Sequence, residues 1–455
     1  MQNNKIQKND YEKLSTFSQY LSNYENNNFF SPKKFIYIPN SKIKISSFDK
    51  HILVLSSIRK PKKIKIFGND EKTYSYLIKG CEDLRLDERI EEIFNVMNDI
   101  LSKDSNCMKI KIKLQTFDVI PINKRLGMIQ WINNSNPLYK IIKFGMENLN
   151  NNNKIYDVFD INNINNNNEN NFWDIQQSPS YLNRLKWIEK NFQGKNFNEK
   201  SFNVLYTTNY NDIINPFNNS VNLFPKFILK HSLTHYLNNF EEIINNLISF
   251  SRNYSLLSIS CYILGIGDRH LENFLLSNNN NNNNINITAI DFGIAFGQGL
   301  LQYIPELVPF RLTPQIVNTL YPFGIKGIFK ETMIKVLQSY KRYKENILDY
   351  CEIFIKEPIY EDNKSNKNKF NVINKKLKGI NILKIFKEEI NNNIYLNSEL
   401  KGILKNCVKG GIDSFRFKNK DREYLDEETE VDMLNEQAMD RNLLGRMWIG
   451  WSPFV

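Results

Sequence analysis

Gly265-Ile266-Gly267-Asp268-Arg269-His270-Leu271-Glu272-Asn273, followed by Ile290-Asp291-Phe292-Gly293, is the stretch on which the reading of this chain turns. It sets a carboxylate, Asp268, five positions before an amide, Asn273, and a second carboxylate, Asp291, further on. Transfer of a phosphoryl group needs this set: an acidic group beside the incoming hydroxyl and oxygen ligands for Mg²⁺. Between Asn273 and Asp291 lie residues 274–276, an asparagine run at 278–284 and residues 285–290. They read as strand, long turn, strand. Lengthening such a turn costs little entropy, and it leaves both oxygen ligands on adjacent strand ends.

The protein-kinase catalytic loop HRDxxxxN separates its Asp and Asn by the same interval, and DFG supplies a metal-binding aspartate. Here the loop order is Asp-Arg-His. Phosphoryl transfer also needs a lysine on the phosphates. Thr73-Tyr74-Ser75-Tyr76-Leu77-Ile78-Lys79-Gly80 reads as a strand ending in lysine, and Glu82, Asp83 and Asp87 follow it into an amphipathic helix. A strand lysine held by a carboxylate suits phosphate binding. Spacing leaves both Glu82 and Asp87 open as its partner. No GxGxxG loop precedes Lys79 and no Walker A motif occurs. The turn before it, Ser56-Ser57-Ile58-Arg59-Lys60-Pro61, offers backbone amides and a hydroxyl that could cover phosphates.

Around these motifs the chain changes character. Residues 35–39, 51–55, 62–67 and 73–79 are short, β-branched or alternating, with turn residues between them, and predict an antiparallel sheet. Residues 87–101 switch to helical period, with Ile90, Ile93, Phe94, Met97, Ile100 and Leu101 on one face. Residues 114–121 read as a further strand. Beyond Trp131 the pattern is mostly helical, for example at 240–250 and 254–264. A β-rich first part and a helix-rich second part predict an α+β fold of two lobes with a cleft. The first 34 residues read as a polar arm with weak helical patterning at Tyr11, Leu14, Phe17 and Leu21. The lysine- and asparagine-rich stretch 363–378 reads as a solvated loop. The asparagine tracts at 150–153, 165–168 and 278–284 mark solvated loops as well.

Composition narrows the class. The 455 residues are 41% hydrophobic and 13% aromatic, enough for a sizeable core and against a wholly disordered chain. The five cysteines are scattered and never spaced CxxC, which argues against a disulfide scaffold or a cysteine zinc site and for a reducing compartment. The polar N-terminus is no signal peptide. The longest apolar stretch, 254–267, is too short and too serine-interrupted to span a bilayer. A net charge of +11 favours anionic partners without choosing among them. No finger, helix-turn-helix or aromatic-basic motif for sequence-specific nucleic-acid binding is evident. His231 and His235 stand at i, i+4, a zinc spacing, but lack a third ligand.

Taken together, these features resemble the phosphatidylinositol 3-kinase-related protein kinases. The resemblance runs from about residue 35 to the end. It rests on Leu77-Ile78-Lys79-Gly80-Cys81-Glu82-Asp83-Leu84-Arg85-Leu86-Asp87, the Gly-Asp-Arg-His loop and the DFG. It rests most on Leu443-Leu444-Gly445-Arg446-Met447-Trp448-Ile449-Gly450-Trp451-Ser452-Pro453-Phe454-Val455, which looks like the FATC tail that closes these kinases. The helical stripe Val431, Leu434, Ala438 and Met439 leads into that tail, which by pattern is either docked or membrane-seeking; the resemblance implies docking. Within the family, 262–270, 305–313 and the pattern at 444–451 point to the subgroup that acts at DNA ends. The family usually has Gln where this chain has Leu86.

The resemblance implies a bilobal protein-kinase-like fold: N-lobe 35–130, hinge near 129–133, C-lobe 134–400 and a helical FATC tail over 423–455. It implies ATP with Mg²⁺ or Mn²⁺ as cofactors. It assigns Lys79 to the ATP phosphates, with Glu82 or Asp87 beside it, and Ser57 to the phosphate-covering turn. Trp131 and Ile132 fall at the adenine-holding hinge; a buried core tryptophan is the plainer reading of Trp131. Asp268 takes the substrate hydroxyl, His270 supports the transferring phosphate, and Asn273 and Asp291 hold the metal. It further implies protein substrates carrying Ser or Thr, followed by Gln, a nuclear DNA-damage role, and DNA-end-binding proteins as partners. In this family a helical-repeat solenoid and a FAT domain precede the catalytic region, so the chain is expected to be a piece of a longer protein or a shortened member.

Lipid kinases share this core, so the acceptor is argued separately. Phosphoinositide kinases place Lys and Arg after DFG to hold inositol phosphates. Residues 292–310 contain neither; the first basic residue is Arg311. A polyanionic headgroup would find no charge-assisted partner there, which favours a protein hydroxyl. A catalytically silent scaffold is the other alternative, but Lys79, Asp268 and the DFG are all present.

Overall fold

In Lys62-Lys63-Ile64-Lys65-Ile66-Phe67 the two isoleucines are buried while Lys65 between them and Phe67 after them are exposed, the alternation that a half-buried strand requires. The computed structural model describes residues 10–25, 35–56, 59–150, 174–191, 202–237, 239–279, 284–356, 363–413 and 422–455. The chain divides into two compact units, one of residues 1–92 and 116–133, the other of residues 93–115 and 134–455.

The first unit is an antiparallel sheet of seven strands: β1 (Asp10–Lys13), β2 (Ile45–Phe48), β3 (His51–Val54), β4 (Lys62–Gly68), β5 (Thr73–Gly80), β6 (Val119–Asn123) and β7 (Leu126–Gln130). Their order is β1-β3-β4-β5-β7-β6, with β2 also paired to β4. Its core gathers Leu14, Ile38, Ile45, Ile52, Val54, Ile64, Ile66 and Tyr76. Three strands match the expected segments. The other sheet expectations are corrected. The polar arm is not separate: Asp10–Lys13 pairs with His51–Val54 in the sheet, and short helices follow at Leu14–Phe17 and Gln19–Ser22. Residues 35–39 form only an isolated bridge, Tyr37 to Lys44, and the neighbouring strand is β2. The strand expected over 114–121 begins at Val119. In each case edge pairing, a tertiary property, overrides local composition.

The helix Arg85–Lys103 begins in the first unit and continues into the second. All six residues of its expected stripe are buried. Burying six such side chains contributes on the order of 10 kcal/mol, against which the entropy of ordering the chain must be set.

The second unit is mainly helical around the 25-residue helix Phe240–Leu264, one continuous helix where the sequence suggested two. Four of its serines are buried, and each of the four hydroxyls donates to the carbonyl one turn back: Ser251 to Leu247 at 2.7 Å, Ser255 to Ser251 at 2.6 Å, Ser258 to Tyr254 at 2.7 Å and Ser260 to Leu256 at 2.9 Å. Serine can therefore line this core without an unpaired polar group. A small sheet of β8 (Ser135–Pro137), β9 (Phe274–Asn279) and β10 (Asn284–Ala289) packs beside it. β9 and β10 form the expected hairpin, with Phe274 opposite Ala289.

The stretch read as a solvated loop is instead the helix Asn363–Leu377, with Lys369 and Lys376 buried. Lys376 Nζ donates to the Tyr262 carbonyl at 2.8 Å, so a lysine-rich composition disguised a packed element. No helix among the described residues is long and apolar enough to cross a membrane. The helices Glu427–Met439 and Arg441–Arg446 pack into the second unit, burying Val431, Leu434, Ala438, Leu443 and Leu444.

Candidate active site

The helix Phe240–Leu264 stops because Gly265 adopts φ +59, where a side chain is strained, and a Cβ there would lie 2.4 Å from the Gly297 amide nitrogen. The loop it releases carries Asp268, itself in the left-handed region at φ 54, which Asp tolerates better than most residues. Two bonds hold that conformation. Asp268 N–H donates to Glu306 Oε1 at 2.6 Å, and Asn273 Nδ2 donates to the Asp268 carbonyl at 2.7 Å. The Glu306 carboxylate lies against Gly267, where a Cβ would come within 2.7 Å of Oε2. Burial pushes the Glu306 carboxyl up to about 7; the Asp268 N–H bond opposes the rise and the Asp268 charge adds to it.

Arg269 is fully buried and ties the loop to the DFG segment. Its guanidinium donates to the carbonyls of Gly267 at 2.7 Å, Ile290 at 3.0 Å and Asn273 at 3.4 Å, and also to that of Asp291. One planar fork thus binds the backbone of both the Asp268–Asn273 and the Ile290–Asp291 segments. Phe292, fully buried, meets the Phe94 ring edge-on at 5.6 Å and the Arg269 guanidinium at 5.7 Å.

Asn273 and Asp291 flank the paired ends of β9 and β10, where Ile290 N–H donates to the Asn273 carbonyl at 3.2 Å. The Asn273 amide nitrogen is committed to Asp268, which orients its Oδ1 away from that bond. The Asp291 carboxylate is exposed, and its residue is left-handed at φ 60. One amide oxygen and one carboxylate are hard ligands that fit Mg²⁺, an ion that uses few protein ligands and completes its shell with phosphate oxygens and water.

His270 Nε2 lies 4.0 Å from Asp268 Oδ2. Burial lowers its pKa, partly countered by the charges of Asp268 and Glu272. Glu272 N–H donates to His270 Nδ1 at 3.1 Å, so a neutral ring carries its proton on Nε2.

In the first unit, Lys79 at the end of β5 reaches Glu82 Oε1 at 3.4 Å, and Arg59 holds the other Glu82 oxygen at 3.0 Å. Glu82 therefore stands nearest Lys79. It lies in the connection before the helix, whereas Asp87 is buried in the first helical turn. Trp131 is not a core residue. It is half-buried, its N–H donates to the Ser75 carbonyl at 2.8 Å, and Lys63 Nζ sits 3.9 Å from the ring centroid. Ile132 beside it is half-buried too. Burial, with help from Lys65, lowers Lys63 to about 8. Ser57 lies outside the described residues.

The chain's last residues reach back to this loop through Arg311. Its guanidinium donates to the carbonyls of Trp451 and Ser452, both at 2.7 Å, and to that of Val455. It stacks 4.4 Å from the Trp451 ring centroid. Its own carbonyl accepts from Tyr254 Oη at 2.6 Å. Burial lowers Arg311 to about 9. Gln437 Nε2 donates to the Leu307 carbonyl at 2.8 Å, a second link between tail and post-DFG segment. The tail is docked, as the resemblance implied.

Sequence reasoning missed Arg269, Glu306 and Arg311 as site-building residues. Their signal was faint: an arginine inside the Asp-Arg-His motif, and a single acid and a first base in an otherwise uncharged post-DFG stretch. His231 and His235 stack at 4.2 Å between centroids, and among the described residues no cluster of three or more His, Cys, Asp or Glu could hold a metal.

A family model of phosphatidylinositol 3- and 4-kinases matches residues 73–364, and a FATC domain model matches residues 424–455. The chain is 32% identical over 444 residues to the DNA-dependent protein kinase catalytic subunit of Xenopus laevis, covering 92% of this chain and 10% of that protein. It is 30% identical over 473 residues to the protein of that name from Dictyostelium discoideum, covering 97% of this chain and 11% of that protein. The chain thus spans about a tenth of the length of these relatives. A solved structure, the FAT and kinase domain of CtTel1, superposes with a TM-score of 0.61 at 18% identity, over 92% of this chain and 25% of that one, a likeness of fold. Both domain matches fall where the Asp268 loop, the hairpin and the docked tail stand, and the chain belongs to the phosphatidylinositol 3-kinase-related kinase family.

Proposed function

We propose that the chain is a serine/threonine protein kinase that transfers the γ-phosphoryl group of ATP to a hydroxyl of a protein substrate. The observation that carries the reading is the Arg269 clamp. It binds the backbone of Asp268's loop and of Asp291 together, so a candidate acceptor-orienting carboxylate and two candidate metal ligands belong to one rigid set. In the reaction Asp268 accepts the hydrogen bond of the substrate hydroxyl and aims its oxygen at the γ-phosphorus. His270, neutral with its proton on Nε2, donates to a transferring phosphate oxygen. Lys79 offsets phosphate charge, and Glu82 keeps it extended. Trp131 offers a flat face to the adenine. Asn273 and Asp291 would hold Mg²⁺, which would supply neutralisation of the phosphate charge.

A protein acceptor is favoured over a phosphoinositide because residues 292–310 offer no cation to a headgroup. The relatives named as DNA-dependent protein kinase catalytic subunits support a DNA-dependent protein kinase activity; the finer placing, in the nucleus, on Ser or Thr before Gln and beside DNA-end-binding proteins, follows from the family resemblance alone. The test is radiolabelled phosphate transfer with Mg-ATP, a Ser-Gln peptide and phosphatidylinositol vesicles in parallel, with Asp268→Asn as control. Label on the peptide that the control loses is expected. Label on the lipid alone would overturn the acceptor assignment, and ATP binding without transfer to either would favour a scaffold.

A further inference from the structure

A groove of roughly 300 Å³ opens in the second unit, lined by residues 109–113 and 115, one face of the helix Phe240–Leu264, and Asn284 and Asn286 of β10. Four of its lining residues are cations, Lys109, Lys111, Lys113 and Arg252, and none is a carboxylate. None of the four joins an ion pair among the described residues. The remaining polar groups are neutral: Gln115, Asn245, Ser249, Asn253, Asn284 and Asn286. On a chain with 49 acidic residues, a pocket holding four cations and no acid is a concentrated positive field.

The groove walls are built. Ser249 Oγ and Asn253 Nδ2 both donate to the Ile285 carbonyl, at 3.0 and 2.6 Å, fixing the helix to β10. The lysine segment is pinned by Asn98, whose side chain exchanges two hydrogen bonds with the Leu114 backbone at 3.0 and 2.8 Å. Ile112 and Leu114 turn inward while Lys111 and Lys113 stay exposed. A core register therefore dictates where the lysines project. The groove belongs to the turn end of the hairpin. Asn273 and Asp291 lie at its other end, on the order of 15 Å along the strands.

We propose that this groove binds a compact anion carrying three or more phosphate groups. Three lysines act as point charges, which phosphate accepts from any direction. The Asn245 amide adds a neutral donor. The size suits a small molecule. A single-stranded nucleic acid is disfavoured because the lining holds no aromatic side chain on which bases could stack.

The probe is inorganic tripolyphosphate, titrated calorimetrically into the 455-residue chain. Because phosphates would also seek Lys79, the titration is done in a Lys79→Met background. Saturable binding is expected, weakened about tenfold or more when Lys111→Ala and Lys113→Ala are added, a loss of about 1.4 kcal/mol. Both lysines are exposed, so the double variant should keep its circular dichroism spectrum. Equal affinity in parent and double variant, or no binding at all, would overturn the proposal. So would displacement by a single-stranded oligonucleotide whose affinity grows with length, which would assign the groove to nucleic acid.

Discussion

Asp268 and Glu306 lie 38 positions apart and meet through one hydrogen bond, from the Asp268 amide to Glu306 Oε1. That bond, with the Asn273 bond to the Asp268 carbonyl, grips the peptides on both sides of Asp268, whose left-handed conformation sets the direction of its carboxylate. Because the Glu306 carboxyl sits near 7, well above its ordinary 4.5, the native state holds its proton more tightly than the unfolded chain. The stabilisation is fully present below about 4.5 and is lost as pH rises through about 7. The gap corresponds to on the order of 3 kcal/mol. Glu306→Gln keeps an acceptor for the amide and removes the titration. Urea midpoints measured at pH 5 and 8 should converge in the variant while the parent loses stability at the higher pH; an unchanged pH slope in the variant would refute the assignment.

Arg311 is expected to be the tail's main anchor. Arg311→Met would strip the Trp451, Ser452 and Val455 carbonyls of their donor inside the fold. Bonds to a charged donor contribute roughly 1.5–3 kcal/mol each and are not additive, so a loss of several kcal/mol is expected. Hydrogen exchange should speed up first over residues 447–455. Arg311→Lys, which keeps the charge but loses the fork, should fall between. Unaltered exchange in the tail would show that the apolar contacts alone hold it.

Asp291→Ala is expected to reduce phosphoryl transfer by at least about a thousandfold while leaving the fold intact, because the carboxylate is exposed and its removal opens no cavity. Transfer assays and circular dichroism on the same sample check both halves. Full activity in the variant would sink the metal assignment.

Gly267→Ala and Gly402→Ala should move stability in opposite directions. A Cβ at 267 would press on Glu306 Oε2 and on Ile294 Cγ2, at 2.7 and 3.0 Å, whereas nothing stands within 4 Å at 402, inside the helix Ser398–Asp413. Overpacking costs about 1–3 kcal/mol. Replacing a helical glycine returns about 0.5–1 kcal/mol. Thermal midpoints that fall for the first and rise for the second are expected; a neutral Gly267→Ala would mean that Glu306 can yield.

Periodicity and spacing made much of this legible. The helix Arg85–Lys103 shows in its apolar stripe because one face is buried along its whole length. The β9–β10 hairpin shows because two apolar runs flank a tract that cannot pack. Composition misled where burial depended on a distant partner. Lys376 reads as solvated until the Tyr262 carbonyl comes to meet it. Asp10–Lys13 reads as a polar arm until β3 supplies its hydrogen bonds.

The division has one physical cause. Near neighbours along the chain fix the Asp268–Asn273 interval, the strand bearing Lys79, the helical stripes, and the lack of cations from Phe292 to Phe310. Residues far apart in the chain build the rest together, and only the packed fold brings them into contact. Glu306 becomes a partner of Asp268 across 38 positions. Arg311 meets the Trp451 carbonyl across 140 positions. Lys111 and Lys113 share a groove with Arg252. A buried charge or a bare carbonyl must find its complement wherever the chain brings one, and no local pattern records where that will be.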